Sequence, residues 1–187
     1  VFDSANLGYV NTTSNTDLTI GSDITVRGKA GRVGNANATS SITVDGTIHS
    51  DEAGQIEVRS GGGWTNEGTL MASGTGTLRT RDTWSNNGTV EIGETSNMSA
   101  LSGLPLTGLS IVTIDIGSVS DFGVIDVTGA AALAGVLNIN LTGGFSPTTG
   151  QMFEIMTYDS MSGAFGTISA AGFTVDVGAT AITLTAN

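Results

Sequence analysis

The chain of 187 residues contains no cysteine, which excludes a disulfide framework and any thiolate site. Cations are also scarce. Six Lys and Arg face 17 Asp and Glu for a net charge of −11, and all six lie at or before Arg81. A surface of that sign repels a phosphate backbone, so nucleic acid is excluded as the expected partner, and anionic membrane surfaces are disfavoured for the same reason. The acids are scattered singly, which reads as solubility through self-repulsion. No apolar run is long enough to span a membrane. The longest candidate, 124–141, is broken by Asp126, Asn138 and Asn140. Nor does a charged segment followed by an apolar one open the chain, so any secretory signal is expected to be already removed or outside it.

What is present is glycine, at 28 residues against 2 prolines, in a background rich in Thr, Ser, Asn and Ala. Charged residues make up 12% and hydrophobic ones 39%, a profile that can bury a core and is not that of a disordered chain. Small and β-branched residues in this mixture favour many short strands joined by tight turns. The scarcity of lysine beside abundant Thr, Asn and Gly points to a bacterial or archaeal extracellular protein.

One repeat stands out. Trp64-Thr-Asn66-Glu-Gly68-Thr69-Leu70 returns 20 residues later as Trp84-Ser-Asn86-Asn-Gly88-Thr89-Val90, with Ala72 answered by Ile92. Upstream, Leu18 and Ile42 are 24 residues apart and Gly46 and Gly68 are 22 apart. A second column keeps the same step, with Gly54-Gln-Ile56-Glu-Val58 matched by Gly76-Thr-Leu78-Arg-Thr80. A fixed offset in a strand-rich chain is the mark of stacked structural units that cannot bury their apolar faces singly. The expected fold is all-β, a single-stranded right-handed parallel β-helix (β-solenoid) with a C-terminal strand-rich cap. Leu70 and Val90 fall in internal columns, and Gly46, Gly68 and Gly88 at corners that need positive φ or close backbone approach. Asn66 above Asn86 suggests an amide ladder, and Trp64 above Trp84 suggests stacked indoles.

The pattern divides the chain into residues 1–17, an N-terminal arm or incomplete coil; 18–116, the β-helix coils; and 117–187, a C-terminal repeat and cap. The Gly/Asn/Ala-rich stretch 28–41 reads as a loop. From Ile125 to Leu141 every second residue is apolar or glycine, a long strand pattern with a bend expected at Gly129 or Gly135. Residues 152–158 read as a strand covered on both sides, and Gly163-Ala-Phe165 as a short strand. Phe173/Val175/Val177 and Ile182/Leu184, parted by Gly178-Ala-Thr, form a hairpin that caps the open end.

The run Asp121-Phe-Gly-Val-Ile125-Asp-Val127-Thr-Gly129, with Leu133-Ala-Gly135-Val-Leu137, Phe145-Ser-Pro147, Gly150-Gln-Met-Phe153-Glu-Ile155 and Gly163-Ala-Phe165, resembles the terminal repeat of bacterial autotransporter-type passenger domains. The upstream Asn-x-Gly-Thr-[Leu/Val] coils are similar to the β-helical repeats of the same surface adhesins. The resemblance implies an exported, surface-exposed stalk or adhesin.

Several sets of residues carry candidate chemistry. Asp45, His49, Asp51, Glu57 and Arg59 would supply a polysaccharide-cleaving groove if they met on one face, since general acid–base work needs paired carboxylates at a defined separation. The simpler reading is five solvated outward positions. Asp115, Asp121 and Asp126 are acids whose clustering around calcium the spacing leaves open, without an EF-hand or Gly-rich nonapeptide motif. Gly61-Gly-Gly63 lacks the lysine of a phosphate loop and reads as a corner. The sequons at Asn11, Asn37, Asn87, Asn97 and Asn140 follow from composition. Trp64 and Trp84, one coil apart, would stack on sugar rings if they faced water; filling a wide corner of the core is the preferred role.

The expected function is a non-enzymatic, extracellular or cell-surface module with a structural or adhesive role, without cofactor or metal. Its expected partners are copies of itself or a host or matrix glycan or protein surface, without direct membrane insertion. An alternative is a filament subunit joined head to tail through strand edges or donor-strand addition. A third is a polysaccharide-degrading β-helix enzyme.

Overall fold

The computed structural model describes residues 2, 7–11, 16–37 and 39–187. It is all-β, with no helix among those residues, and its parallel strands stack into a β-solenoid of about 6 turns. The chain enters the stack with β1 (Gly8–Val10). The next coil holds β2 (Leu18–Ile20), β3 (Thr25–Gly28) and β4 (Gly31–Val33), and the one after it β5 (Ile42–Val44), β6 (Thr47–Ser50) and β7 (Gly54–Val58). The Trp-containing repeat forms two further coils: β8 (Trp64–Asn66), β9 (Thr69–Ala72) and β10 (Gly76–Thr80), then β11 (Trp84–Asn86), β12 (Thr89–Ile92) and β13 (Asn97–Ala100). Above them lie β14 (Leu104–Pro105), β15 (Ile111–Ile116) and β16 (Val124–Val127), then β17 (Ala130–Leu133), β18 (Val136–Leu141) and β19 (Met152–Thr157). The chain closes with β20 (Ser160–Gly163), β21 (Thr167–Ser169), β22 (Phe173–Val177) and β23 (Ala181–Ala186).

Each coil thus gives one strand to each of three faces. The second face is one seven-stranded sheet from β3 to β21, and the third a nine-stranded sheet from β1 to β22. The first face is split into β2-β5-β8-β11 and β14-β17-β20, linked by a single bridge between Asn86 and Leu106. The sheets run across 116/117 without a break, since β15 pairs with β18 and β13 with β16.

Alternation sets the inside. In β9 and β12 the residues Leu70, Ala72, Val90 and Ile92 are buried while their neighbours face outward, and the same period 2 holds in β10, β13 and β15. These inward residues form one continuous core along the whole stack. The corner glycines Gly46, Gly68 and Gly88 are there for close approach, not for positive φ. A Cβ on Gly68 would sit 2.1 Å from the Gly46 carbonyl oxygen, and one on Gly88 2.2 Å from that of Gly68. Only glycine lets successive corners come that near.

The interior also carries a polar column. Asn66 and Asn86 are fully buried and in register. Asn66 Nδ2 donates to Asn86 Oδ1 at 2.7 Å, and Asn86 Nδ2 donates to Ser110 Oγ at 3.1 Å, while the Ser110 hydroxyl donates to the Asn86 carbonyl at 2.7 Å. The amides also satisfy corner carbonyls, Asn66 at Thr89 and Asn86 at Gly88. This is the expected amide ladder, and it meets the rule that buried polar groups find partners, with one exception. Asn66 Oδ1 has no donor, because the residue opposite it in the preceding coil is Val44.

Several expectations need correction. Residues 28–41 hold a strand: β4 pairs with both β1 and β7, with Val33 fully buried, because the glycines flanking Arg32 and Val33 masked a short in–out beat. The long pattern from Ile125 to Leu141 is three strands, β16, β17 and β18, with bends at both Gly129 (φ 98°) and Gly135 (φ 74°). β19 is not covered on both sides. A register shift between Glu154 and Met156 buries Ile155 and Met156 consecutively, while Met152 and Glu154 stay exposed. Phe165 lies in the connection between β20 and β21 rather than in a strand. The terminal hairpin of β22 and β23 exists, but it extends the third sheet antiparallel to β19 and leaves β20 and β21 as edges. Of residues 1–17, anticipated as an arm or incomplete coil, β1 joins the third sheet. Phe2 bridges Gly28, and its ring occupies the space over Gly8 and Gly31 where a Cβ would be. Residues 1, 3–6 and 12–15 lie outside the described residues.

Candidate functional site

The outward face of the third sheet concentrates the chain's cations. Strand register aligns Tyr9, Arg32, Glu57, Arg79, Ser99, Asp126 and Thr157 in one outward column, each from a successive coil. Beside it, Arg59 and Arg81 follow β7 and β10, with their amides bonded to Val33 and Val58. Glu57 sits at the centre of this group and is 4% exposed. Arg32 Nε donates to Glu57 Oε1 at 2.9 Å, Arg59 reaches the same oxygen at 3.6 Å, and Arg81 Nε lies 3.7 Å from Oε2. Arg59 also bonds Asp82 at 3.3 Å. The Arg32 guanidinium lies 5.8 Å from the centre of the Tyr9 ring. A carboxylate this buried is tolerable only because several guanidiniums surround it. Four arginines against two carboxylates leave this section of the face positive, on a molecule that is otherwise strongly acidic.

Arg32, Arg79 and Arg81 were not among the sequence candidates. The repeat already placed Glu57 opposite Arg79, since the two pentapeptides beginning at Gly54 and Gly76 are in register. Arg32 was hidden by the loop assigned to its strand. The five residues that would have formed a cleaving groove do not converge. Asp45 lies on the corner before β6; His49 faces outward on β6 of the second face; Asp51 follows that strand; Glu57 and Arg59 belong to the third face. His49 Nε2 lies 2.8 Å from Ser73 Oγ, and Asp51 is paired with Arg27. Burial holds the imidazole below its ordinary pKa, against the pull of Asp51 and with a lowering contribution from Arg27.

Trp64 and Trp84 are core residues. They are 3% and 7% exposed, with ring centroids 4.6 Å apart and planes inclined by 11°. Each indole donates its Nε1–H to a backbone carbonyl of the next coil: Trp64 to Arg81 at 2.8 Å and Trp84 to Gly103 at 3.1 Å. Both rings are buried, stacked on each other and engaged through their N–H groups, which is a packing arrangement. A cavity of about 360 Å³ opens beside Trp84 where the first face is split, lined by Gly103, Leu104, Pro105 and Ala132 among others.

The acids of the upper coils border two adjoining grooves of about 540 and 410 Å³, which share Glu94 and Thr95. Asp121 and Asp126 line the first and Asp115 the second. Glu94 accepts from the Thr142 hydroxyl, Asp115 from Asn140 Nδ2 at 3.2 Å, and Asp121 from Ser118 Oγ at 2.8 Å. Burial raises the Asp115 carboxyl above its ordinary value, with the Asn140 hydrogen bond opposing and Glu94 adding to the rise. Asp115, Asp121 and Asp126 do not meet at one point, and among the described residues no three ligand-bearing side chains gather as a metal site would need. No protein-family model, curated protein or solved structure matches the chain, so its function is read from its own geometry.

Proposed function

We propose that the chain is a non-enzymatic structural segment of an exported bacterial surface protein, a rigid β-solenoid whose side faces make adhesive contacts with glycan or protein. The observation that supports this most is the unbroken interior. One hydrophobic core, an amide ladder and an indole stack run from coil to coil in register, which is the construction of a spacer. The polarised third face, with arginines around Glu57, supplies the kind of surface on which an acidic glycan or acidic protein segment is held. The reading is tested by displaying the protein to arrays of matrix glycans and proteins. Retention of acidic members, weakened by Arg81→Glu, is the expected result. Turnover of any polysaccharide in a broad panel by the purified chain would overturn it.

A second reading, end-to-end assembly, is favoured by one specific feature. Ile168 continues the interior column of Leu137, yet it is 39% exposed, because the chain leaves β21 for the third sheet and no described residue covers that end of the core. Another copy stacked there would pair with the edges of β20 and β21. Electron micrographs of concentrated protein are expected to show short fibres that disappear with Ile168→Lys; uniform single particles from the unaltered chain would remove this reading.

A further inference from the structure

We infer that the outer face of the third sheet pairs two copies of this chain side by side and antiparallel, about a two-fold axis at Ser99. The outward column runs Arg32, Glu57, Arg79, Ser99, Asp126, Thr157. Arg32 is paired with Glu57, but Arg79 makes no ion pair with a carboxylate among the described residues and its Nε has no acceptor. Asp126, on the other side of Ser99, accepts a hydrogen bond from Thr157 Oγ1 at 2.9 Å and meets no cation among the described residues. The two charges are two strand spacings apart, about 10 Å, too far to pair within one molecule. Ser99 stands midway with a short side chain.

A two-fold axis through Ser99 carries β10 of one copy onto β16 of the other. Arg79 then faces Asp126 of the second copy, and Asp126 faces its Arg79, so one pair of unmatched charges becomes two matched pairs by symmetry. Arg59 and Arg81 lie two residues beyond this column, and Glu154 and Asp176, on either side of Thr183, lie two positions short of it, so Arg79 and Asp126 are the charges that meet. Antiparallel pairing sets Arg79 against Asp126, whereas parallel pairing sets each against its own copy, so orientation as well as attraction is specified.

β13 is the middle strand of the seven from β4 to β23. Those seven present about 30 Å by about 16 Å, so roughly 500 Å² per copy and roughly 1,000 Å² in total, at the lower bound for a specific, reversible interface. The net charge of −11 on each copy opposes approach at low ionic strength. At about 0.15 M salt the Debye length of about 8 Å screens the remote charges more than the contact pairs. Association is therefore strongest at intermediate salt.

The pair is closed at two copies and does not rest on the structural or end-to-end readings above. Its test is accordingly run on the Ile168→Lys chain, in which end stacking is blocked. Sedimentation at increasing concentration is expected to show a reversible dimer, weakened about tenfold or more by Arg79→Glu and by Asp126→Arg singly, and restored when the two changes are combined. Because the chain has no cysteine, Ser99→Cys alone reports the axis. Mild oxidation is expected to cross-link it much faster than Thr65→Cys on the first face, and this holds even if a charge variant folds poorly. A monomer at every concentration and salt, a double variant as weak as the singles, or equal cross-linking at the two cysteines would each overturn the proposal. So would an effect of Arg79→Glu confined to binding of free carboxylate compounds.

Discussion

The coils from β5 to β13 and those from β14 onward have the same in–out alternation but differ in how evenly they are wound. In the first group the step between coils is the same on all three faces. Ile42 to Trp64, Thr47 to Thr69 and Gly54 to Gly76 are each 22 residues, and Trp64 to Trp84, Thr69 to Thr89 and Thr77 to Asn97 are each 20. Equal steps put like residues above like, which is what allows an amide ladder and an indole stack. In the second group Ile111 to Val136 is 25, Leu104 to Ala131 is 27 and Val136 to Thr167 is 31. The extra residues fall in different corners, so no polar ladder forms. A local aromatic cluster takes its place, in which Phe122, Phe145 and Phe173 pack edge-on against the fully buried Phe153 at 5.5, 6.2 and 5.8 Å. Evenness permits repetition of chemistry; unevenness needs a core of its own.

The largest expected effect separates the two regions outright. Phe153→Ala removes the centre of the aromatic cluster and is expected to cost about 3–5 kcal/mol, with hydrogen exchange speeding up in β22 and β23 while β7 and β10 stay protected, because coils in such stacks depend mainly on their neighbours. Equal loss of protection in both regions would show one cooperative unit instead. In the even region, Gly88→Ala is expected to cost about 1–3 kcal/mol by forcing a Cβ against the Gly68 carbonyl. Gly108→Ala, with nothing within 4 Å of its Cβ, is the control, expected to leave the urea midpoint almost unchanged.

Asn86→Ala strips partners from Asn66 and Ser110 and is expected to cost about 1–3 kcal/mol, whereas replacing Asn66 and Asn86 together with alanine is expected to cost less than the sum of the two single changes. Full additivity in that thermodynamic cycle would mean that the ladder is not a unit. The smallest effect lies in the uneven region and has the opposite sign. The folded-state pKa of Asp115 is raised above its unfolded value, so the folded chain holds the proton more tightly, and stability falls as pH rises from the ordinary carboxyl range through the raised value. Asp115→Asn is expected to raise Tm at pH 7 by the equivalent of less than about 1 kcal/mol, given its partial exposure, and to make no difference below the ordinary carboxyl pKa. A gain that persists in acid would assign the effect to something other than ionisation.

How much was legible in the sequence follows the same division. Where the step was constant, the columns of Leu70, Val90, Asn66, Asn86 and the corner glycines could be placed correctly, since identity at a fixed offset is visible without coordinates. The register that sets Glu57 opposite Arg79 is visible in the same columns. Arg32 was lost because Gly31 and Gly34 resemble loop punctuation, although they bracket a strand whose space is taken by the Phe2 ring. Whether the indoles faced in or out was undecidable from spacing, which fixes their register but not which side of a three-residue strand is dry. In the upper coils the alternation survived, and the division of Ile125–Leu141 at both glycines was half anticipated. The bulge at Glu154 to Met156 broke the period in β19, and without the period no sequence argument could tell its wet face from its dry one.

The indole stack has one more consequence. Trp64 and Trp84 are the chain's only tryptophans, and they touch across a single coil-to-coil step. Their coupled ultraviolet transitions are therefore an intrinsic optical gauge of that spacing, needing no label. Because both lie in the evenly wound region, the gauge is blind to fraying of the terminal hairpin. There Tyr158 is the second chromophore, its hydroxyl bonded to the Gly178 carbonyl at 2.8 Å, and Tyr9→Phe isolates its signal from that of the chain's other tyrosine. The molecule carries a separate built-in light signal for each of its two regions.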